Sequence, residues 1–148
     1  MASNRQVEVV ADLHRTFTDR NVEGFVAHLT EDTILRPSTL IAGREEYRGI
    51  EDVRVGFGEI TELLESSSED VTVEPLRFYI DRASDELIVS VARLTITRDD
   101  ETPYSREMLF LWRMDGEKVA ELGAWLDVDA GLKHLREPEE VEPAASGR

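Results

Sequence analysis

Four runs of sequence in the second half of the chain decide the fold: residues 71–81 (VTVEPLRFYID), 87–98 (LIVSVARLTITR), 104–114 (YSREMLFLWRM) and 118–127 (KVAELGAWLD). They are rich in β-branched and aromatic residues, and short polar turn segments separate them. This spacing predicts an antiparallel meander. Both alternating sets of positions carry apolar residues, so we expect both faces of the sheet to be covered.

The first half of the chain has mainly helical periodicity. Apolar residues recur every three or four positions over residues 3–20, 21–30 and 50–64, which predicts three helices. Residues 33–36 are β-branched in character and end at a proline, so they predict a short strand. A last short helix is expected over residues 130–136. Helices then cover one face of the sheet, and we expect a second copy of the chain to cover the other, as a homodimer.

Length and composition restrict the class of protein. A chain of 148 residues is one ordinary domain, which we assign to residues 1–136. Residues 137–148 hold four glutamates, two prolines and one large apolar residue, a composition that predicts a disordered acidic tail. There is no cysteine, so disulfides and thiolate sites are excluded.

Charge and hydropathy bear on the partners. Seventeen basic against 32 acidic residues give a formal net charge of −15, which disfavours nucleic acid and anionic membrane surfaces as partners. No apolar run approaches the length of a membrane span, and the first residues lack the apolar stretch of a signal peptide. We therefore expect a cytoplasmic protein.

Five short motifs carry a resemblance to a known superfamily. They are residues 21–25 (NVEGF), 29–37 (LTEDTILRP), 47–54 (YRGIEDVR), 111–119 (LWRMDGEKV) and 126–132 (LDVDAGL). In this order they resemble the SnoaL-like branch of the nuclear transport factor 2-like superfamily. The resemblance implies a cone-shaped α+β fold, in which three N-terminal helices pack on a strongly curved, mostly antiparallel sheet and enclose a pocket. Members of this superfamily include cyclases, isomerases, dehydratases, epoxide hydrolases and non-catalytic binders, so fold alone does not fix an activity.

Two residues are candidates for acid/base chemistry. The resemblance implies a general acid/base at Asp127, and strict alternation from Val119 puts Asp127 on the same face as Trp125. Alternatively, Asp127 caps the following helix. His14 lies on the apolar stripe of the first helix, where it is either the partner of Asp127 or a satisfied core histidine.

The ligand-lining candidates favour a hydrophobic ligand. Met108, Phe110 and Trp112 alternate along one strand, and Trp125 joins them from the next. The alternative for this stripe is plain core packing. Two polar residues complete the predicted set of ligand contacts. Tyr47 either donates to a ligand oxygen or anchors its loop, and Arg93 is either a pocket residue or a paired arginine at an interface.

The sequence therefore predicts a protein that binds a small hydrophobic molecule, with cofactor-free acid/base catalysis such as cyclisation, isomerisation or dehydration left open. A non-catalytic carrier or a dimeric protein-interaction module is one alternative. Another is an epoxide hydrolase-like relay, for which the available residues are Arg93, Glu107 and Asp127. No metal site is expected because the three histidines, His14, His28 and His134, are scattered along the chain. No cofactor is expected either.

Overall fold

The computed structural model describes residues 3–37, 45–98 and 102–142, which form helices and one mostly antiparallel sheet. The elements, in chain order, are α1 (Asn4–Thr18), α2 (Val22–Val26), β1 (Leu29–Arg36), β2 (Tyr47–Arg48), α3 (Ile50–Ser67), β3 (Glu69–Asp81), β4 (Leu87–Arg98), β5 (Tyr104–Asp115), β6 (Lys118–Trp125), α4 (Val128–Leu132) and β7 (Pro138–Val141). The strand order is β2-β1-β6-β5-β4-β3-β7. Only the β1–β6 pair among these is parallel.

The predicted meander is confirmed, because β3, β4, β5 and β6 pair in sequence over most of their lengths. Two irregularities interrupt the ladders. One lies between Pro75 and Arg77 in β3, where a proline cannot donate to its neighbour. The other lies between Arg113 and Met114, opposite an extra residue in β6. Such bulges bend a sheet and shift which side chains face each side.

The two long helices pack on one face of this sheet, which we call the helix face. A capping box starts α1: the Ser3 hydroxyl accepts from the Gln6 N–H, and the Gln6 side chain accepts from the Ser3 N–H. The stripe of α1 that includes Val10 and Leu13 is fully buried against the sheet. Gly49 precedes α3 with a positive φ of 86°, a conformation that favours glycine.

The opposite, outer face has its own apolar layer. Val89, Val91 and Leu109 are fully buried there, and α4 with the turn after it lies over them. Gly131 of α4 sits so close to the Leu109 side chain that a Cβ would collide with it. Both faces are thus covered, as expected, but the chain itself supplies cover for the centre of the outer face.

The arrangement of helices differs from the expectation of three N-terminal helices. In the described residues there are four helices, of which α1 and α3 are long, and β1 and β2 lie between α2 and α3. The closing helix is shorter than residues 130–136 and begins earlier, at Val128. None of the helices in these ranges is long and apolar enough to cross a membrane.

The expectation of a disordered tail from residue 137 is wrong for Pro138–Val141, which form β7 against the end of β3. The reason is Asp81, whose side chain is buried beneath this segment. Its carboxylate accepts backbone N–H groups from Arg136 at 3.2 Å and Glu137 at 3.0 Å, besides Ala83 at 3.0 Å. Burial acts to raise the pKa of Asp81, but these three donors outweigh it and hold the pKa below its usual value. Residues 143–148 lie outside the described part of the chain.

Candidate functional site

An apolar cavity of about 70 Å³ lies between the two long helices and the helix face of the sheet. Its walls include Leu13, Phe17, Phe57, Phe110, Trp112 and Leu122. Phe57 of α3 joins the helices, because its ring meets that of Phe17 at 5.7 Å and that of Phe25 at 5.4 Å between centroids. These edge-to-face and tilted contacts hold the aromatic wall in place.

His14 is the buried histidine at the floor of this cavity. Its side chain is 4% exposed, and its Nε2 lies 2.7 Å from Ser90 Oγ on β4. Trp112 Nε1 donates to the same Ser90 oxygen at 2.8 Å. The imidazole also packs edge-on against the rings of Phe110 and Trp112, with centroids 5.3 and 5.5 Å away. Burial lowers the pKa of His14 to about 3, so the ring is neutral near pH 7.

Tyr47 lines the cavity from the opposite side, at the pairing of β2 with β1. The ring is buried and lies directly over Gly56 of α3. A Cβ at residue 56 would collide with the Tyr47 ring, so the helix needs glycine there despite its low helix propensity. Tyr47 therefore both forms cavity wall and fixes the position of α3.

Asp127 does not reach the cavity. Its carboxylate accepts the backbone N–H of Ala130 at 3.1 Å and caps α4, and the residue is exposed. Of the two interpretations given by the sequence, the structure shows the helix cap.

The bulge in β6 explains why alternation misplaced this end of the strand. Met114 pairs with Val119, but Arg113 pairs with Glu121, so Ala120 is the extra residue. Beyond it the two sets of side chains exchange faces. Trp125 consequently lies on the outer face, with its ring over Gly123 and 4.7 Å from that of His134. The prediction that Trp125 lines the pocket is not met by this placement.

The residues of the hydrolase-like relay also lie outside the cavity. Arg93 is exposed on the outer side of β4, where it forms an ion pair with Glu74 at 3.5 Å. Glu107 forms an ion pair with Arg77 at 3.0 Å. Because neither these residues nor Asp127 line the cavity, the structure does not assemble the relay around it.

Of the predicted ligand-lining residues on β5, Phe110 and Trp112 line the cavity, whereas Met108 is fully buried in the core beside it. The structure therefore brings together His14, Tyr47, Phe110 and Trp112. Sequence reasoning missed Ser90. Its signal was a single hydroxyl within the otherwise apolar run at residues 87–92, which is unusual in a strand buried on both faces.

No group of three or more histidine, cysteine or acidic side chains is placed to hold a metal ion within residues 3–37, 45–98 and 102–142.

Comparisons with known proteins identify the fold. No protein-family model matches the sequence, and no curated protein matches it. Among solved structures, TerC co-crystallised with polyporic acid superimposes with a TM-score of 0.67 at 16% identity, over 87% of this chain and 96% of that one.

Two further structures are similar to the same extent. A nuclear transport factor 2-like protein of unknown function from Burkholderia pseudomallei has a TM-score of 0.65 at 18% identity, over 90% of this chain and 98% of that one. A protein with a ketosteroid isomerase-like fold from Catenulispora acidiphila, in complex with trimethylamine, has a TM-score of 0.64 at 17% identity, over 88% and 94%. The chain therefore has the nuclear transport factor 2-like fold that its sequence motifs implied.

Proposed function

We propose that the protein binds a small hydrophobic molecule in the cavity between α1, α3 and the sheet. The observation that carries this proposal is the cavity itself, whose wall is mostly apolar and aromatic, with the buried His14 and Tyr47 as polar side chains. Apolar concavities with few, fixed polar groups are the usual form of small-molecule sites. Two proteins of the same fold have been crystallised with small molecules, polyporic acid and trimethylamine, which supports a ligand-binding role for this chain.

The geometry favours binding over acid/base catalysis by His14 and Asp127. A general base works best when its pKa is close to the operating pH, and burial takes the pKa of His14 to about 3. Its proposed partner Asp127 is exposed and committed to the cap of α4. Of the functions predicted from the sequence, we therefore favour a non-catalytic ligand binder.

The size of the cavity restricts the ligand. A cavity of about 150 Å³ in a protein core accommodates benzene. The present cavity, about 70 Å³, is smaller. A ring of five or six heavy atoms therefore requires small rotamer changes in the wall, and we expect such a probe to bind with a Kd of about a millimolar.

The test is a titration of the protein with methylenecyclopentane, followed by two-dimensional 1H–15N NMR. We expect saturable shifts at residues of the cavity wall. Val53→Phe, at a buried wall position on α3, fills the cavity and abolishes binding. Val55→Phe makes the same change at an exposed position of the same helix and leaves binding intact. Binding that survives Val53→Phe in the folded protein would place the site elsewhere.

A second variant tests whether Asp127 takes part in ligand binding. Asp127→Asn keeps a capping oxygen and removes the negative charge at the N-terminus of α4, so we expect a loss of stability of about 1 kcal/mol or less and an unchanged Kd for the probe. A loss of binding without a change in melting temperature would show that Asp127 takes part in ligand binding.

A further inference from the structure

We propose that the natural ligand carries a hydrogen-bond acceptor, such as a ketone, lactone or ether oxygen. This oxygen accepts a hydrogen bond from the Nδ1–H group of His14. This inference rests on the proposed binding function and adds the chemical class of the ligand. It is carried by the arrangement of Trp112, Ser90 and His14 beneath the cavity.

The tautomer of His14 follows from the hydrogen bonds of Ser90. The indole N–H of Trp112 can only donate, so Ser90 Oγ accepts this bond, at 2.8 Å. Ser90 is fully buried, and the other hydrogen-bond partner of its hydroxyl in the described residues is His14 Nε2, at 2.7 Å. If Nε2 carried the proton, Ser90 would accept twice and its own hydroxyl hydrogen would be buried without a partner. That would cost the desolvation energy of a donor. The arrangement that satisfies every group has Ser90 donating to Nε2.

The proton of the neutral imidazole is therefore on Nδ1. In the described part of the chain no hydrogen-bond partner is found for Nδ1, although the residue is 4% exposed and its ring lines the cavity. An unpartnered donor on a ring that lines a largely apolar cavity selects for an acceptor on the ligand. A protonated amine offers only donors, and a hydrocarbon offers neither, so both leave Nδ1–H unsatisfied.

The first test measures the tautomer in the wild-type protein. Long-range 1H–15N NMR at neutral pH distinguishes a protonated from an unprotonated ring nitrogen by its shift. We expect the pattern of a neutral ring protonated at Nδ1. Protonation at Nε2 would overturn the proposal whether or not a ligand binds.

The second test compares two probes of matched shape, cyclopentanone and methylenecyclopentane. The ketone is better hydrated than the hydrocarbon, so their affinities cannot be compared directly. We therefore measure the ratio of the ketone affinity to the hydrocarbon affinity in each protein, and compare this ratio between wild type and His14→Phe. The phenylalanine keeps a ring in this position but removes the donor. We expect the relative affinity for the ketone to fall about tenfold in His14→Phe, which corresponds to the loss of one hydrogen bond.

Ser90→Ala is the positioning control, because Ser90 is not part of the cavity wall but fixes the tautomer. We expect this variant to increase the fraction of ring protonated at Nε2 and to reduce the relative affinity for the ketone. A ratio that is the same in wild type and His14→Phe would overturn acceptor recognition while leaving the binding function in place. If neither probe binds the wild-type protein, the binding function itself fails, and this inference fails with it.

Discussion

Burial of His14 without a charged partner makes the folded state sensitive to acid. The ring contacts Ser90, Phe110 and Trp112, none of which compensates a positive charge. Protonation in place would therefore leave a cation in an apolar site, which is why burial depresses the pKa. In the unfolded chain the same histidine titrates near pH 6.5. The unfolded state thus binds the proton more readily at every pH between these two values.

The consequence is a loss of stability as the pH falls from about 6.5 towards 3. Above this window His14 is neutral in both states and has no effect on the pH dependence. Inside it the free energy of unfolding falls by up to about 1.4 kcal/mol per pH unit because of this one residue. Urea unfolding at a series of pH values should show a steeper acid limb in wild type than in His14→Phe. Equal slopes would show that His14 titrates normally in the folded protein.

Single residues of the site were predictable where one helix or one unbroken strand set their direction. His14 followed from the three- and four-residue spacing in α1, and Phe110 and Trp112 from alternation in β5. Trp125 and Asp127 were misplaced because one extra residue, Ala120, exchanges the faces of β6. Nothing in the local sequence marks that bulge. The partnership of His14 with Ser90 spans 76 positions of the chain, and only the tertiary structure shows it.

The helices and strands were easier to predict from the sequence than the residues of the site. Strong β-branched and aromatic runs produced strands close to the predicted bounds, and the amphipathic segments produced α1 and α3. β7 was missed because its composition is that of a disordered segment. Its order depends on a carboxylate more than 50 residues away, Asp81, which binds the backbone just before it.

Truncation tests the contribution of β7 to stability. A chain ending at Glu137 lacks four residues that pair with β3, and we expect it to lose about 1 to 2 kcal/mol and several degrees in melting temperature. A chain ending at Glu142 retains β7 and serves as the matched control, for which we expect a shift of no more than a degree or two. Calorimetry that gave the same melting temperature for both truncations would show that β7 contributes nothing.

At the scale of the whole molecule, the outer face is the surface through which the sequence predicts a homodimer. α4 covers its centre, but Tyr79, Leu87, Leu111 and Trp125 remain only partly buried around it. Charged pairs, Arg93 with Glu74 and Arg77 with Glu107, lie on the same face. A partly apolar face with ion pairs around it is compatible with the homodimer predicted from the sequence.

The homodimer therefore stays a prediction, and sedimentation equilibrium tests it. We expect a mass twice the 16.8 kDa of one chain at micromolar concentration. Leu111→Glu on the outer face should reduce that mass to the monomer, whereas Leu63→Glu, at an exposed position on α3, should not change it. A wild-type mass of a single chain would contradict the prediction, and would leave α4 as sufficient cover for the outer face.

At the whole-molecule scale, the order of helices and strands and the resemblance carried by the five motifs together predicted the architecture. The cavity could not be deduced in the same way. It depends on close approaches such as Tyr47 over Gly56, and on which faces the side chains occupy after each bulge. A bulge changes the register by one residue, and neither composition nor periodicity reveals such a change.

The central claim, a ligand-binding apolar cavity beneath the helices, is tested most directly by a crystal structure of the protein pressurised with xenon. Xenon enters empty apolar cavities without forming hydrogen bonds, so it reports the space itself. We predict a xenon atom in van der Waals contact with the rings of His14, Phe57 and Phe110. A cavity closed by the side chains of Phe110 and Trp112, with no xenon between the helices and the sheet, would contradict the account.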